Sequence, residues 1–252
     1  MQDNWLAEES LASRKKHCAE SISIIIPALN EESILPSTLE STRSSRPLEV
    51  ILVDGGSVDG TQEVASRYGA KILFSAPGRA RQMNRGAAAA SGSLLLFLHA
   101  DTRLPPHFDR CVREALSCPT VVAGAFELGI DAPTPSLRWI ERMANWRSRR
   151  LHMPYGDQAI FVRAEVFRAI GGFSELPIME DFELMLRLRK LAHIAIIPQP
   201  ALTSARQWQE TGILRTTLIN QIAILSYFLG ISPATIARWY HRRNNRVAAY
   251  TR

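Results

Sequence analysis

Short apolar runs alternate with stretches of helical spacing along the first part of the chain, and each run closes on a turn-forming or polar residue. Ser21–Pro27 (SISIIIP) is β-branched and ends at proline, and Leu48–Asp54 (LEVILVD) ends at aspartate. Lys71–Phe74 is shorter, and Leu94–His99 (LLLFLH) is apolar until its last residue. Between them Glu31–Thr42, Thr61–Tyr68 and Ala80–Ser91 carry helical patterns. Strands that stay hydrophobic at every position are buried on both faces, which needs helices above and below a mostly parallel sheet. The predicted fold class is therefore α/β.

The second half is less regular. Val121–Leu128 and Ala159–Arg163 are predicted strands, with an amphipathic helix over Ser136–Arg149 between them. Glu180–Leu191 is a predicted helix and Ile194–Ile197 a short strand. From Trp208 the pattern is helical to the basic stretch His241-Arg242-Arg243. The expected organisation is a flexible segment over 1–20, one α/β domain over 21–205 and a helical C-terminal tail over 206–252.

Composition narrows the function classes. Apolar residues make up 46% and charged residues 21% of the 252 residues, ample for a core. Cys18, Cys111 and Cys118 are too few and too irregularly spaced for a disulfide framework or a zinc site, so free thiols are expected. The first twenty residues, ending near Arg14-Lys15-Lys16-His17, lack the apolar stretch of a signal peptide, and no run is long enough to span a bilayer. A cytoplasmic protein is expected. The net charge of +6 suits polyanions in general: nucleic acid, an anionic membrane face or the phosphates of a small substrate.

In an open parallel sheet, ligands bind where strand carboxyl ends meet helix N-termini. Four such ends carry polar residues here: Pro27-Ala28-Leu29-Asn30-Glu31-Glu32, Asp54-Gly55-Gly56-Ser57-Val58-Asp59-Gly60-Thr61, Pro77-Gly78-Arg79-Ala80-Arg81-Gln82-Met83-Asn84 and His99-Ala100-Asp101-Thr102. Each has a plainer role when taken alone. Asn30 caps the first helix, Asp59 with Gln62 forms a capping box, and Arg79, Arg81 and Arg85 are solvated surface charges. Asp54 and Asp101 resist such readings, because a carboxylate directly beside an apolar strand needs a cation or hydrogen-bond donors.

The order of motifs resembles family two glycosyltransferases. It carries Ile24-Ile25-Ile26-Pro27-Ala28-Leu29-Asn30-Glu31-Glu32, then Val53-Asp54-Gly55-Gly56-Ser57 with Asp59-Gly60-Thr61. Gly78 to Ala87, Phe97-Leu98-His99-Ala100-Asp101, Gly171-Gly172-Phe173 and Glu180-Asp181 follow in sequence, so the resemblance covers roughly 21 to 208. It implies a GT-A fold and transfer of a sugar from a nucleoside diphosphate, commonly UDP, to an acceptor hydroxyl with inversion.

Roles follow by position. The resemblance assigns the nucleotide to Pro27, Ala28, Asn30 and Glu31, to Asp54 and Gly55 at the base, and to Gly78, Arg79, Arg81 and Asn84. His99 and Ala100 complete that set. Asp101 matches the metal-binding aspartate of an Asp-x-Asp motif whose first aspartate is here His99, and the implied cofactor is Mn²⁺ or Mg²⁺. Asp181 matches the catalytic base, beside Glu180; the plainer alternative is an acidic helix start favoured by the dipole. Asp157 and Gln158, with Arg206 and Trp208, are the expected acceptor or diphosphate contacts.

At a finer level, Gly78–Ala87, Leu96 to Thr102, Met179-Glu180-Asp181 and Thr203-Ser204-Ala205-Arg206 resemble a bacterial subgroup associated with arsenosugar biosynthesis, which implies a small soluble acceptor. The tail carries Leu214, Leu218, Ile222, Leu225 and Leu229 at helical spacing. That stripe serves packing on the domain or on a second subunit of a homodimer. Its rival is an interfacial helix, backed by Arg238, Arg242, Arg243 and Arg246, that would present the site to a lipid-linked acceptor at the inner membrane face. Two other classes compete. A nucleotidyltransferase needs a glycine-rich basic loop after the first strand, where this chain has Ala28-Leu29-Asn30-Glu31. A non-catalytic nucleic-acid or membrane-surface binder rests on charge alone, and no nucleic-acid partner is expected.

Overall fold

The computed structural model describes residues 20–46 and 48–243. Residues 1–19 of the expected N-terminal segment, with its basic cluster and Cys18, lie outside the described residues, as does Arg246.

The four apolar runs form β1 (Ile22–Ala28), β2 (Glu49–Asp54), β3 (Lys71–Phe74) and β4 (Leu94–Phe97), paired in parallel in the order β3-β2-β1-β4. Every residue of β1 and β4 is buried, as their unbroken apolar sequences require. Their connections carry α1 (Leu35–Ser41), α2 (Thr61–Arg67) and α3 (Arg79–Ala89). Along β1, Ile25 faces one core cluster with Ile51, Phe97, Phe167 and Phe173, while Ile24 and Ile26 face another with Leu96, Phe126 and Phe161. Helix α3 sits tight on the sheet because it carries Gly86, where a Cβ would come within 2.4 Å of Ile25 Cγ2. That close contact fixes the helix that presents Arg79.

Beyond β4 the sheet becomes mixed. β7 (Phe161–Arg163) runs antiparallel between β4 and β6 (Val121–Asp131), β6 runs parallel to β8 (His193–Ser204), and β5 (Thr102–Arg103) closes the edge against β8. The remaining helices before β8 are α4 (Phe108–Ser117), α5 (Pro135–Leu151), α6 (Ala164–Ala169) and α7 (Glu180–Leu188). After β8 come α8 (Arg206–Thr211), α9 (Ile213–Phe228) and α10 (Pro233–Arg243). Ala223 of α9 and Ile236 and Ala237 of α10 are buried in the same cluster as Ile25, so these helices pack on the sheet layer.

Three elements, β5, α4 and α6, were not expected from sequence. The strand expected over Ile194–Ile197 extends to Ser204, through Pro198 and Pro200. The prolines are accommodated at a register shift, where Ile197 faces Phe126 and Pro200 faces the next residue, Glu127. No helix among the described residues is long and apolar enough to cross a membrane.

Candidate active site

A cleft of about 770 Å³ opens at the carboxyl ends of β1 and β4. Its walls come from the loop after β1 (Pro27, Asn30, Glu31), the start of α3 (Gly78, Arg79, Arg81), His99-Ala100-Asp101 after β4, and the start of α7 (Glu180, Asp181). Tyr155 and Asp157, the end of β8 with Arg206 and Trp208, and Asn220 and Tyr240 from the C-terminal helices close it.

Asp181 sits in the first turn of α7, where the helix dipole favours an acidic group. Its Oδ2 accepts a 2.6 Å hydrogen bond from the Gly156 N–H and its Oδ1 one of 2.7 Å from the Phe182 N–H. Gly156 belongs to a single 3₁₀ turn, Gly156–Gln158, wedged between Asp181 and His99. A Cβ at 156 would stand 2.7 Å from His99 Nε2 and 3.2 Å from Asp181 Oδ2, so glycine is needed for the close approach. Burial, and next to it the charge of Arg79, holds His99 below its usual pKa range, against the opposing pull of Asp101 and Asp181. The imidazole is thus kept neutral at physiological pH.

Arg79, at the start of α3, reaches across the cleft to Glu180, with Nε to Oε1 at 2.9 Å. Glu180 is buried, which pushes its pKa up, while Arg79 opposes the shift. Arg206 Nη2 donates to both carboxylate oxygens of Glu31, at 3.0 and 2.8 Å, and so ties the end of β8 to the loop after β1. Arg81 pairs with Glu175 at 3.1 Å on the outer lip.

Asp157 is half-buried as a residue, yet its Oδ1 is enclosed and has no hydrogen-bond partner. Burial pushes its pKa up to about 6; Arg147 opposes this, and the charges of Asp181 and Asp101 reinforce it. Arg147 itself stacks on Tyr155, 3.4 Å from the ring centroid.

Five expected site residues lie behind the wall instead of lining it. Asp54 is fully buried, and its carboxylate is consumed by its own turn: it accepts from Gly56 N, Ser57 N, Ser57 Oγ and Gln62 Nε2. Gln62 is thereby drawn away from the capping box expected with Asp59, which instead accepts from Thr61 N, Thr61 Oγ1 and Glu32 N. Ala28 and Gly55 are joined by a 2.9 Å backbone hydrogen bond, and Gln82 Nε2 splices β1 to β2 by donating to Ala28 O and Val53 O. Asn84 clamps Phe173, accepting from its N–H and donating to its carbonyl oxygen. Gln158 is fully buried: its Oε1 accepts from Ser148 Oγ and Tyr155 N, while its Nε2 donates to Phe126 O.

Asn30 lines the cleft but does not cap α1, whose N-cap is Ile34. Its Oδ1 accepts from Val58 N instead, one of several bonds that lash the loop after β1 to the loop after β2. Trp208 packs with Leu128, Ile130 and Leu137 and also lines the cleft.

The pattern of a parallel nucleotide-type sheet with an acidic rim has a counterpart in known families. The model for glycosyl transferase family 2 matches residues 23–173, more than half of the chain. The chain belongs to glycosyl transferase family 2. As a member of that family it is an enzyme, a glycosyltransferase. It is 27% identical over 219 residues to a PGL/p-HBAD biosynthesis glycosyltransferase of Mycobacterium bovis, covering 81% of this chain and 82% of that one. It is 31% identical over 192 residues to the succinoglycan biosynthesis protein ExoA of Rhizobium meliloti, covering 68% and 58%.

Among solved structures, glucosyl-3-phosphoglycerate synthase from Mycobacterium tuberculosis, in complex with Mn²⁺, UDP and glucosyl-3-phosphoglycerate, superposes with a TM-score of 0.60. The match has 21% identity and covers 87% of this chain and 82% of that one. S. aureus TarS in complex with UDP-GlcNAc gives a TM-score of 0.60 at 17% identity, over 73% of this chain and 58% of that one. These likenesses establish the GT-A-type fold of this family 2 glycosyltransferase.

Sequence reading missed the contributions of Tyr155, Asn220 and Tyr240 to the cleft, since only tertiary packing brings them there. It also missed Gly156, whose one signal was a glycine directly before Asp157.

Proposed function

We propose that this glycosyltransferase moves a sugar from a UDP-sugar to an acceptor hydroxyl with inversion, using Asp181 as base. The reading is carried by one observation: Asp101 after β4 and Asp181 at the start of α7 line the same cleft, together with Arg79. In the reaction Asp181 accepts the proton of the acceptor O–H as the oxygen bonds to the anomeric carbon. The bond from that carbon to the donor phosphate oxygen breaks, and UDP leaves with the electron pair.

The protein's own groups prepare this step. The N–H groups of Gly156 and Phe182 fix the orientation of the Asp181 carboxylate. The N-terminus of α3, with Gly78, Arg79 and Arg81, offers positive potential to the diphosphate. Arg206 is a further diphosphate contact once it parts from Glu31. Asp157, with an enclosed oxygen lacking a partner, is assigned to an acceptor hydroxyl. A base contact from Asp54 requires Ser57 and Gln62 to release its carboxylate.

The donor set also suits a divalent ion. Among the described residues no three protein ligands converge on one point. Magnesium-type ions on nucleotides are held by one or two carboxylates together with phosphate oxygens, and a rim where Asp101, Asp157 and Asp181 repel one another favours a cation. Asp101 would hold it, and a bound Mn²⁺ or Mg²⁺ would supply neutralisation of the leaving diphosphate. The Mn²⁺ and UDP of the mycobacterial synthase complex support both choices.

The acceptor is a small molecule or a lipid-linked one. The arsenosugar subgroup, with its small soluble acceptor, rests on the motif resemblance alone. Assay of UDP release from a panel of UDP-sugars tests the proposal, with Asp181→Asn as the variant that should bind donor without transferring it. No release with any nucleoside diphosphate sugar would count against it.

A further inference from the structure

Helix α9 is apolar on two faces. Its inward face carries buried Thr216, Ile219, Ala223 and Ser226, with Ile224 and Tyr227 packed against the core. Its outward face carries Leu218, Ile222, Leu225 and Leu229, exposed by 61, 38, 60 and 72%. Spacings of three and four residues set these four on a single stripe. A surface helix in water keeps its outward face polar, so this second apolar stripe is shaped for an apolar phase.

The charge of the segment identifies that phase. From Ile213 to Arg252 the sequence holds six arginines and no aspartate or glutamate, which accounts for the whole net charge of +6. A second copy docked on the stripe across a two-fold axis would bring like charge against like. An anionic bilayer surface complements it instead. At 16 residues α9 does not span a bilayer, but a leucine stripe followed by the basic helix α10 suits a helix lying in the lipid interface. Helix α5 repeats this chemistry, with Trp139, Met143 and Trp146 exposed along one stripe.

We propose that α9 lies flat on an anionic phospholipid surface, with its leucine stripe at the acyl boundary and Arg238 of α10 against lipid phosphates. The inward side of the same helix lines the cleft through Asn220, Ala223 and Ile224. Tyr227 packs edge-on against Phe182, 5.5 Å between centroids, directly beside Asp181. The cleft then stands one helix diameter from the lipid, about 10 Å. This docking does not depend on the identity of the donor.

Sedimentation of the full chain with phosphatidylcholine vesicles, with and without phosphatidylglycerol, tests the inference. Pelleting is expected only with phosphatidylglycerol, and more than about tenfold weaker for the triple variant L218Q/L225Q/L229Q. That variant should keep the wild-type melting temperature, because the three side chains are exposed. If it does not fold, Arg238→Glu keeps the leucine stripe and should weaken pelleting about fivefold or more. Wild-type protein that stays in the supernatant with anionic vesicles would overturn the inference, as would variants that pellet like wild type. A lipid-free dimer that the triple variant dissociates would assign the stripe to a second copy and overturn it as well.

Discussion

The Gly156 N–H and the Asp181 carboxylate are joined by a 2.6 Å hydrogen bond, which ties the turn before β7 to the first turn of α7. These segments lie far apart in sequence, and the bond fixes the proposed base against His99. A methyl group at 156 would meet His99 Nε2 at 2.7 Å. Gly156→Ala should therefore cost about 1–3 kcal/mol of stability. It should lower kcat more than it weakens donor binding, as calorimetric unfolding and steady-state kinetics would show. A variant with wild-type kcat would mean that this contact does not orient the base.

Asp181→Asn keeps an oxygen for the Gly156 N–H but removes the proton acceptor. Its expected effect is a loss of about 10²–10⁴ in kcat with donor affinity unchanged. Stopped transfer with equal donor Kd values checks this; full activity would remove Asp181 from the role of base.

Arg79→Ala leaves the buried Glu180 without the partner seen at 2.9 Å. Because Arg79 is itself half-exposed, the expected cost is moderate, roughly 1–3 kcal/mol. Adding Glu180→Gln should recover most of it, since the buried charge is then gone. A double-mutant cycle with no coupling would contradict the pairing.

Asp157 gives stability a pH signature. Burial raises its pKa from 3.8 to about 6, so across that window the folded protein holds a proton that the unfolded chain has lost. Its contribution therefore favours folding as the pH falls through the window and opposes folding as the pH rises past about 6. Asp157→Asn should melt higher than wild type in metal-free buffer at about pH 8 and level with it near the unfolded value, about pH 4. An equal shift at both pH values would contradict the assignment.

The parallel half of the sheet was legible because its strands are apolar at every position, which only double-sided burial explains. β8 was read short because Pro198 and Pro200 argue against a strand, and only the bulge against β6 admits them. β5, with two residues, leaves no periodicity to read. At the site, Asp101 stood out as an acid directly after an apolar strand, while Glu180 and Asp181 were picked out by the motif resemblance. Asp54 stood out for the same reason, yet a short acidic side chain at a strand end can satisfy itself in its own turn, and here it does. Asn84 and Gln158 show the same limit: an amide near the strand ends serves a backbone clamp as readily as a ligand. The outward direction of the α9 stripe was hidden because the stripe is visible in sequence while its direction is set by tertiary packing.

Titration of UDP into the protein by calorimetry, with Mn²⁺ present or chelated, tests the central assignment most directly. Binding that needs Mn²⁺ and falls by at least about tenfold in Asp101→Ala is expected. Failure of wild-type protein to bind UDP with Mn²⁺, or equal affinity in Asp101→Ala, would contradict a metal-assisted nucleotide site in this cleft.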